Sequence, residues 1–413
     1  MIHWFEVSNF LSFAEPTRID FTPGKVVDDY TIFEAPSGVR LNKFCAIFGP
    51  NASGKTNLVR ALGQAAAFIA RSFRAGEDAK TPFVPHFFED ARDATFTIQF
   101  EVPRTESELP ADDGARSDIF RYEVVANPAF VIRETLKRKT SHLFSRVFDR
   151  IRDGENYQYT GLPDRYTREL PGNVSLVSWL ARQDVPIAVR LRTYFSSVSG
   201  HVAGNFGPVP SFLRTHSAID VYRKAPDHHQ KMVELLRRWD FGLDDVNFVK
   251  RRFTGDDGKE GEYWEARVLH CVGDKKATLS LLSESNGTIE LFSSLSVILE
   301  ALKVGGVAII DEIDEALHTD MVEALLDLFL RKETNPHNAQ LIFTSHGSWI
   351  MDFLNKWQIV LVEKRDGRSQ AWRLSDMSGV ENRENHSARY RSGAYGAIPR
   401  NFGAHAATVD EEQ

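Results

Sequence analysis

Residues 49–56, Gly49-Pro50-Asn51-Ala52-Ser53-Gly54-Lys55-Thr56, read G-x-x-x-x-G-K-T. That spacing belongs to a loop whose backbone N–H groups close around a phosphate. An apolar run, Phe44-Cys45-Ala46-Ile47-Phe48, precedes it, and a helix-like stretch from Thr56 to about Ala70 follows. Both flanks are what the motif needs, because a strand delivers the loop and a helix N-terminus adds partial positive charge. The expected nucleotide-binding residues are Gly49, Pro50, Asn51, Ala52, Ser53, Gly54, Lys55, Thr56 and Asn57. Lys55 is placed to reach β- and γ-phosphates, and the Thr56 hydroxyl to ligate Mg²⁺. ATP and Mg²⁺ are the cofactors this pattern implies.

A second apolar run, Gly305-Gly306-Val307-Ala308-Ile309-Ile310, ends in the adjacent acids Asp311 and Glu312. Open α/β sheets bind ligands at the carboxyl ends of their strands, which is where Asp311 would hold a metal. Glu312 fits a general base that polarises an attacking water. A buried strand closing on an acidic turn is the plain alternative, helped by Asp314 and Glu315. The helix expected next, Leu317 to Arg331, carries Val322, Leu325, Leu326 and Phe329 at helical spacing. Gln340-Leu341-Ile342-Phe343-Thr344-Ser345-His346 then reads as one more strand, and His346 at its end is expected to contact a γ-phosphate.

The phosphate loop, the distant acid pair and His346 together resemble the ABC-type ATPase head of the SMC, RecF and OLD proteins. Roughly 250 residues separate Lys55 from Asp311, a distance that suits a head interrupted by a long insertion. Glu284-Ser285-Asn286-Gly287-Thr288 resembles the E-S-x-G-T variant of the ABC signature. By that resemblance Ser285 and Gly287 touch the γ-phosphate held by a second copy, while Ser-Asn-Gly is also a common turn and helix cap. Asn9-Phe10-Leu11-Ser12-Phe13 is similar to the N-terminal Asn-Phe element of RecF-like heads. Asp314 to His318 is similar to their D-loop, and Tyr390 to Pro399 to a C-terminal segment of small phage-defence ATPases. The PARIS, Septu and Rlo-type ATPases belong to that set. No residue is assigned to the family's glutamine loop, since Gln99 lies in a strand-like run.

The resemblance implies an α/β P-loop NTPase head with a mixed sheet and flanking helices, interrupted by an inserted β and helical lobe. The expected division is 1–102 and 275–402 for the two halves of the head, 103–274 for the insertion, and a flexible tail over 403–413. It implies an ATP-sandwich homodimer or higher oligomer whose catalytic residues are Lys55, Glu312 and His346. The implied role is an ATP-driven switch that senses phage and controls an operon-encoded effector, a nuclease or toxin. No Toprim-like or other nuclease cluster stands out in this sequence, so that effector is expected on another chain. A RecF-like or SMC-like ATPase acting on DNA is the alternative, and a transporter energy module is a third class that the long insertion argues against.

Composition narrows the partners. The 413 residues are 42% hydrophobic and 26% charged, with a formal net charge of −7. That balance is ordinary for a globular chain and argues against a general polyanion binder. Lys137, Arg138, Lys139, Arg146, Arg150, Arg152, Arg165 and Arg168 do form a local basic segment, with Tyr157, Tyr159 and Tyr166 interleaved. Interspersed acids, among them Glu134, Asp149 and Asp153, favour a solvated surface over a DNA strip. Two cysteines, Cys45 and Cys271, support neither a disulfide framework nor a zinc site. No apolar run approaches the ~20 residues of a membrane span, and Met1 to Val7 lacks a secretory pattern, so a cytoplasmic location is expected.

Overall fold

The computed structural model describes residues 1–24, 30–76, 78–104, 116–200, 210–239, 241–254, 259–382 and 384–399. The tail at 403–413 and the tip of the expected turn at 254–261 fall outside them. Strands β1 (Ile2–Ser8) and β2 (Thr17–Asp20) form a hairpin, followed by a small ribbon, β3 (Ile32–Glu34) and β4 (Arg40–Asn42). Then come β5 (Phe44–Phe48) and α1 (Lys55–Arg71), the strand and helix that flank the phosphate loop. Five long strands follow: β6 (Ala94–Pro103), β7 (Ser117–Ala126), β8 (Val131–Lys139), β9 (Phe144–Asp153) and β10 (Asn156–Thr160). Helices α2 (Leu176–Arg182) and α3 (Pro186–Ser196) lead into the short β11 (Val198–Gly200).

The second half opens with α4 (Ser211–Lys224) and α5 (Pro226–Arg238), then the antiparallel strands β12 (Asp245–Thr254), β13 (Glu260–Val272) and β14 (Lys275–Ser280). After them run α6 (Asn286–Val304), β15 (Val307–Ile310), α7 (Thr319–Leu330) and β16 (Gln340–Ser345). The described chain closes with β17 (Ile359–Arg365), β18 (Arg368–Arg373) and α8 (His386–Arg391).

The central sheet has the order β11-β15-β16-β5-β17-β18 and is parallel except for β18. Its inner strands β15, β16 and β5 are buried on both faces, as parallel strands sandwiched between layers must be. Ile47, Ile309, Ile342 and Val360 face one core with α1, α2, α3 and the antiparallel strands. Ala46, Phe48, Ala308, Ile310 and Phe343 face the other, against α4, α5, α6 and α7. The fold class is therefore α/β, with a mixed central sheet and helices on its flanks.

The expected insertion over 103–274 needs correction. β7 pairs with β6 along ten residues, Ala94↔Ala126 to Pro103↔Ser117, so no boundary falls at residue 102. The antiparallel sheet simply continues, in the order β10-β9-β8-β7-β6-β1-β2. β11, also within the expected insertion, lies parallel to β15 and belongs to the central sheet. The separate lobe is the later part, α4 and α5 with the β12–β14 sheet, packed on α6. The helix expected from Leu317 starts at Thr319, because His318 caps it and its ring Nδ1 accepts from the Asp320 N–H. Among the described residues, no helix is long and apolar enough to cross a membrane.

Candidate nucleotide site

The phosphate loop is built by exclusion of side chains. A Cβ on Gly49 would collide with the Val362 carbonyl of the neighbouring strand β17. Gly54 sits at φ +112°, and a Cβ there would collide with Ser369 Oγ and lie 2.9 Å from Ser12 Oγ. Only glycine meets both demands. Gly54 is also the N-cap of α1, so no side chain occupies the first N–H groups of that helix. Those orphan donors, with the helix dipole behind them, form an anion site. Ser53 Oγ is buried beside them without a hydrogen-bond partner. An uncapped helix start and an orphaned hydroxyl are what a phosphate would satisfy.

Lys55 Nζ donates to the carbonyls of Gly49 (2.9 Å) and Pro50 (3.1 Å), folding its ammonium over the loop. Burial lowers its pKa, while Glu312, Asp311 and Asp314 act in the opposite direction. Asn51 and Ala52 are exposed at the loop's tip, with Ala52 at φ +60°. Asn57 points elsewhere: its Nδ2 donates to Ser12 Oγ at 2.8 Å, tying α1 to the Asn9–Phe13 turn. Ser369 completes that support, its N–H donating to Ser12 O and its hydroxyl to Ser53 O (2.6 Å).

The distant acids arrive next to this loop. Thr56 Oγ1 lies 3.3 Å from Asp311 Oδ1, which also accepts from Thr344 Oγ1 at 2.6 Å. The Glu312 N–H donates to the same Thr344 hydroxyl at 2.8 Å, and Glu312 holds φ +54°. His346 Nε2 is 3.5 Å from Glu312 Oε1. Both side chains are open to solvent, 40% and 43% exposed. A hydroxyl and a carboxylate side by side are hard oxygen donors, the set that suits Mg²⁺. Lys55, Thr56, Asp311, Glu312 and His346 are thus gathered in one place.

Ser285 and Gly287 are not gathered with them. Ser285 caps α6, its Oγ accepting from the Thr288 N–H at 3.2 Å. A Cβ on Gly287 would sit 2.6 Å from Ala316 O, so the signature-like turn packs on the loop after the acid pair. Among the described residues, no hydrogen bond joins Ser285 or Gly287 to residues 49–57. Gln99 is in the antiparallel sheet, its Oε1 accepting from Arg121 Nη2.

Two residues with roles at this site, Thr344 and Ser369, escape a reading of motifs, and Asp314 of the D-loop-like stretch gains a definite role. Thr344 and Ser369 act through neighbouring strands, and Asp314 accepts from the N–H groups of His346 (3.3 Å) and Gly347 (2.9 Å). The one sequence signal is that Thr344 lies two residues before His346 in the same strand-like run. The basic segment is also re-sorted. Arg150 and Glu134 are fully buried together, and Asp149 accepts from Thr135 and Arg133.

Residues 44–352 match the family described as "AAA domain, putative AbiEii toxin, Type IV TA system". This chain belongs to that family. The match spans both the phosphate loop and the acid pair and ends just beyond His346. No curated protein matches the chain. Among solved structures, it is similar to an SMC head bound to the C-winged helix domain of ScpA, at 17% identity and TM-score 0.45, covering 90% of this chain and 96% of that one. It is also similar to the SMC head domain from Thermotoga maritima, at 15% identity and TM-score 0.40, covering 90% and 98%. A third is the Smc head domain with a coiled coil and joint from Pyrococcus yayanosii, at 14% identity and TM-score 0.44, covering 95% and 99%. Family membership rests on the match over 44–352 alone.

Proposed function

We propose that this family member is a Mg²⁺-dependent ATPase working as a switch, which senses phage and controls a separate effector in antiviral defence. The observation that carries the ATPase reading is the meeting of Thr56 with Asp311 at 3.3 Å, with Thr344, Glu312 and His346 alongside. The loop's N–H groups and Lys55 would bind the β- and γ-phosphates. Thr56 and Asp311 would hold the metal, which when bound neutralises charge on those phosphates. Glu312 would orient the attacking water, and His346 would steady the Glu312 carboxylate from the next strand.

An ATPase site works best when water other than the nucleophile is kept out. Glu312 and His346 are each exposed by about two-fifths, so this chain alone leaves its own reacting end open. A second copy supplying Ser285 and Gly287 would close it, with ATP acting as the bond between two heads. The defence role draws on the family description, whose words name an AbiEii toxin and a type IV toxin–antitoxin system. Glu312→Gln tests the switch. The variant is expected to bind ATP, hydrolyse it ~10²–10⁴-fold more slowly, and elute as a larger species only with ATP and Mg²⁺. An elution volume that ATP does not change would sink the sandwich.

One observation favours the DNA-acting reading as a second candidate. Arg121, Lys137 and Arg146 stand in one cross-strand row of β7, β8 and β9. Like charges directly opposite one another are destabilising unless something anionic covers them. Duplex DNA should then bind with a steep salt dependence that Lys137→Ala with Arg146→Ala flattens. Equal, weak binding by both proteins would remove this reading.

A further inference from the structure

We infer that Thr344 is a positioning residue for the hydrolytic step, setting both acids of the site through one hydroxyl. This rests on the reading of Asp311 as metal-holding and Glu312 as water-orienting. Thr344 lies on β16, the strand between β5, which delivers the phosphate loop, and β15, which delivers the acids. Its side chain is fully buried.

The hydrogen bonding there has one solution. A hydroxyl has a single proton to give. The Glu312 N–H is a donor and occupies a lone pair of Thr344 Oγ1 at 2.8 Å. The Thr344 proton therefore goes to Asp311 Oδ1, at 2.6 Å. Thr344 O also accepts from the Ile313 N–H at 3.0 Å, so one residue of β16 holds three consecutive residues after β15. With Thr56 Oγ1 at 3.3 Å, Asp311 Oδ1 is engaged by both neighbouring hydroxyls, and Oδ2 is the oxygen left over for a cation.

Glu312 needs this support more than an ordinary residue does. Its φ of +54° is a conformation that non-glycine residues seldom adopt. Such backbone persists where surrounding groups over-determine it. The Thr344 hydroxyl accepting from the Glu312 N–H, and the Thr344 carbonyl accepting from Ile313, are two such groups. His346, just past the end of β16, then approaches the Glu312 carboxylate at 3.5 Å. Thr344 thereby orients the metal-holding acid and the backbone of the base, and His346 just past the strand end meets the side chain of the base.

Thr344→Val keeps the shape and removes the hydroxyl; Thr344→Ser keeps the hydroxyl and removes a methyl. In the full chain, Thr344→Val is expected to lower kcat by ~10–100-fold, the usual effect of losing a partner of a metal ligand. The Mg²⁺ concentration giving half-maximal hydrolysis should rise by about tenfold. Affinity for methylanthraniloyl-ATP in EDTA should stay that of the wild type, because the phosphate loop is untouched. Thr344→Ser should restore kcat to within about threefold. Should Thr344→Val not fold, Thr344→Ala carries the same expectations. A valine variant with wild-type kcat and Mg²⁺ requirement overturns the inference, as does a serine variant as impaired as the valine. A wild-type chain hydrolysing ATP no faster than Glu312→Gln overturns the ATPase reading, and this inference with it.

Discussion

Arg150 offers the sharpest test of how the first half of the molecule is held together. Its guanidinium is 0% exposed and lies 3.6 Å from Glu134, itself 0% exposed. Arg150 Nη1 donates to Val174 O at 2.7 Å, and Nη2 to Pro171 O at 3.1 Å. Glu134 in turn accepts from Tyr122 Oη, Ser175 Oγ and the Leu176 N–H, the last at the start of α2. This pair fastens β8 and β9 to the loop and helix that pack on α1. Arg150→Met leaves the Glu134 carboxylate without its counter-charge and the buried Val174 carbonyl without the guanidinium donor. Removing one partner of a buried pair costs about 3–5 kcal/mol. Glu134→Leu should cost a similar amount, since it strips the cap from α2 as well. The double variant should lose less than the two singles summed, with a coupling of ~0.5–3 kcal/mol. Equilibrium urea unfolding followed by tryptophan fluorescence reads all three, with exposed Lys139→Met as a control expected within about 0.5 kcal/mol of wild type. An Arg150→Met protein less than about 1 kcal/mol below wild type would refute a fastening role for this pair.

Two further outcomes follow from the same geometry. Gly54→Ala forces a side chain onto φ +112° and against Ser369 Oγ; stability should fall by ~1–3 kcal/mol, with nucleotide affinity falling alongside, and a variant unchanged in thermal unfolding and in methylanthraniloyl-ATP binding would contradict this account of the loop. Burial lowers the pKa of His386 below its ordinary 6.5, so the unfolded chain binds the extra proton first; its contribution to stability is full above pH 6.5 and is lost as pH falls through the folded value. His386→Gln should therefore lose less stability than wild type between pH 7.5 and pH 5.5, and equal losses would show that this histidine is not the group concerned.

The phosphate loop and the acid strand were legible because each is a local pattern. Glycines at fixed spacing, after Phe44–Phe48, specify a turn that needs no distant partner. β9 was not legible as a strand. Its sequence, Phe-Ser-Arg-Val-Phe-Asp-Arg-Ile-Arg-Asp, places buried Asp149 and Arg150 where alternation predicts one polar and one apolar residue. Charges satisfied inside the protein look the same in sequence as charges facing water, which is how Arg150 came to be counted in a basic surface. β11 was hidden for another reason. Three residues carry no periodicity, and their pairing with β15 spans over a hundred residues of chain. Thr344 is conspicuous only once β16 is known to lie beside β15, because its partners belong to that strand.

That placement of β16 explains how a site so divided in sequence is whole in space. β5 and β15 do not touch; β16 separates them, pairing Ser345 with Phe48 on one side and Phe343 with Ile310 on the other. Two strand spacings of ~4.8 Å would keep the acids almost 10 Å from the phosphate loop. The gap is closed by the phosphate loop, which leads from the end of β5 to Thr56 at the start of α1, 3.3 Å from Asp311. The centre of the site is thus the end of a strand that carries neither motif. The same end is tied outward as well, since Asp314 accepts from His346 and Gly347, and Asp352 beyond them accepts from Ser387 at the start of α8. A displacement of that strand end moves Thr344 and His346 together, and with them both acids.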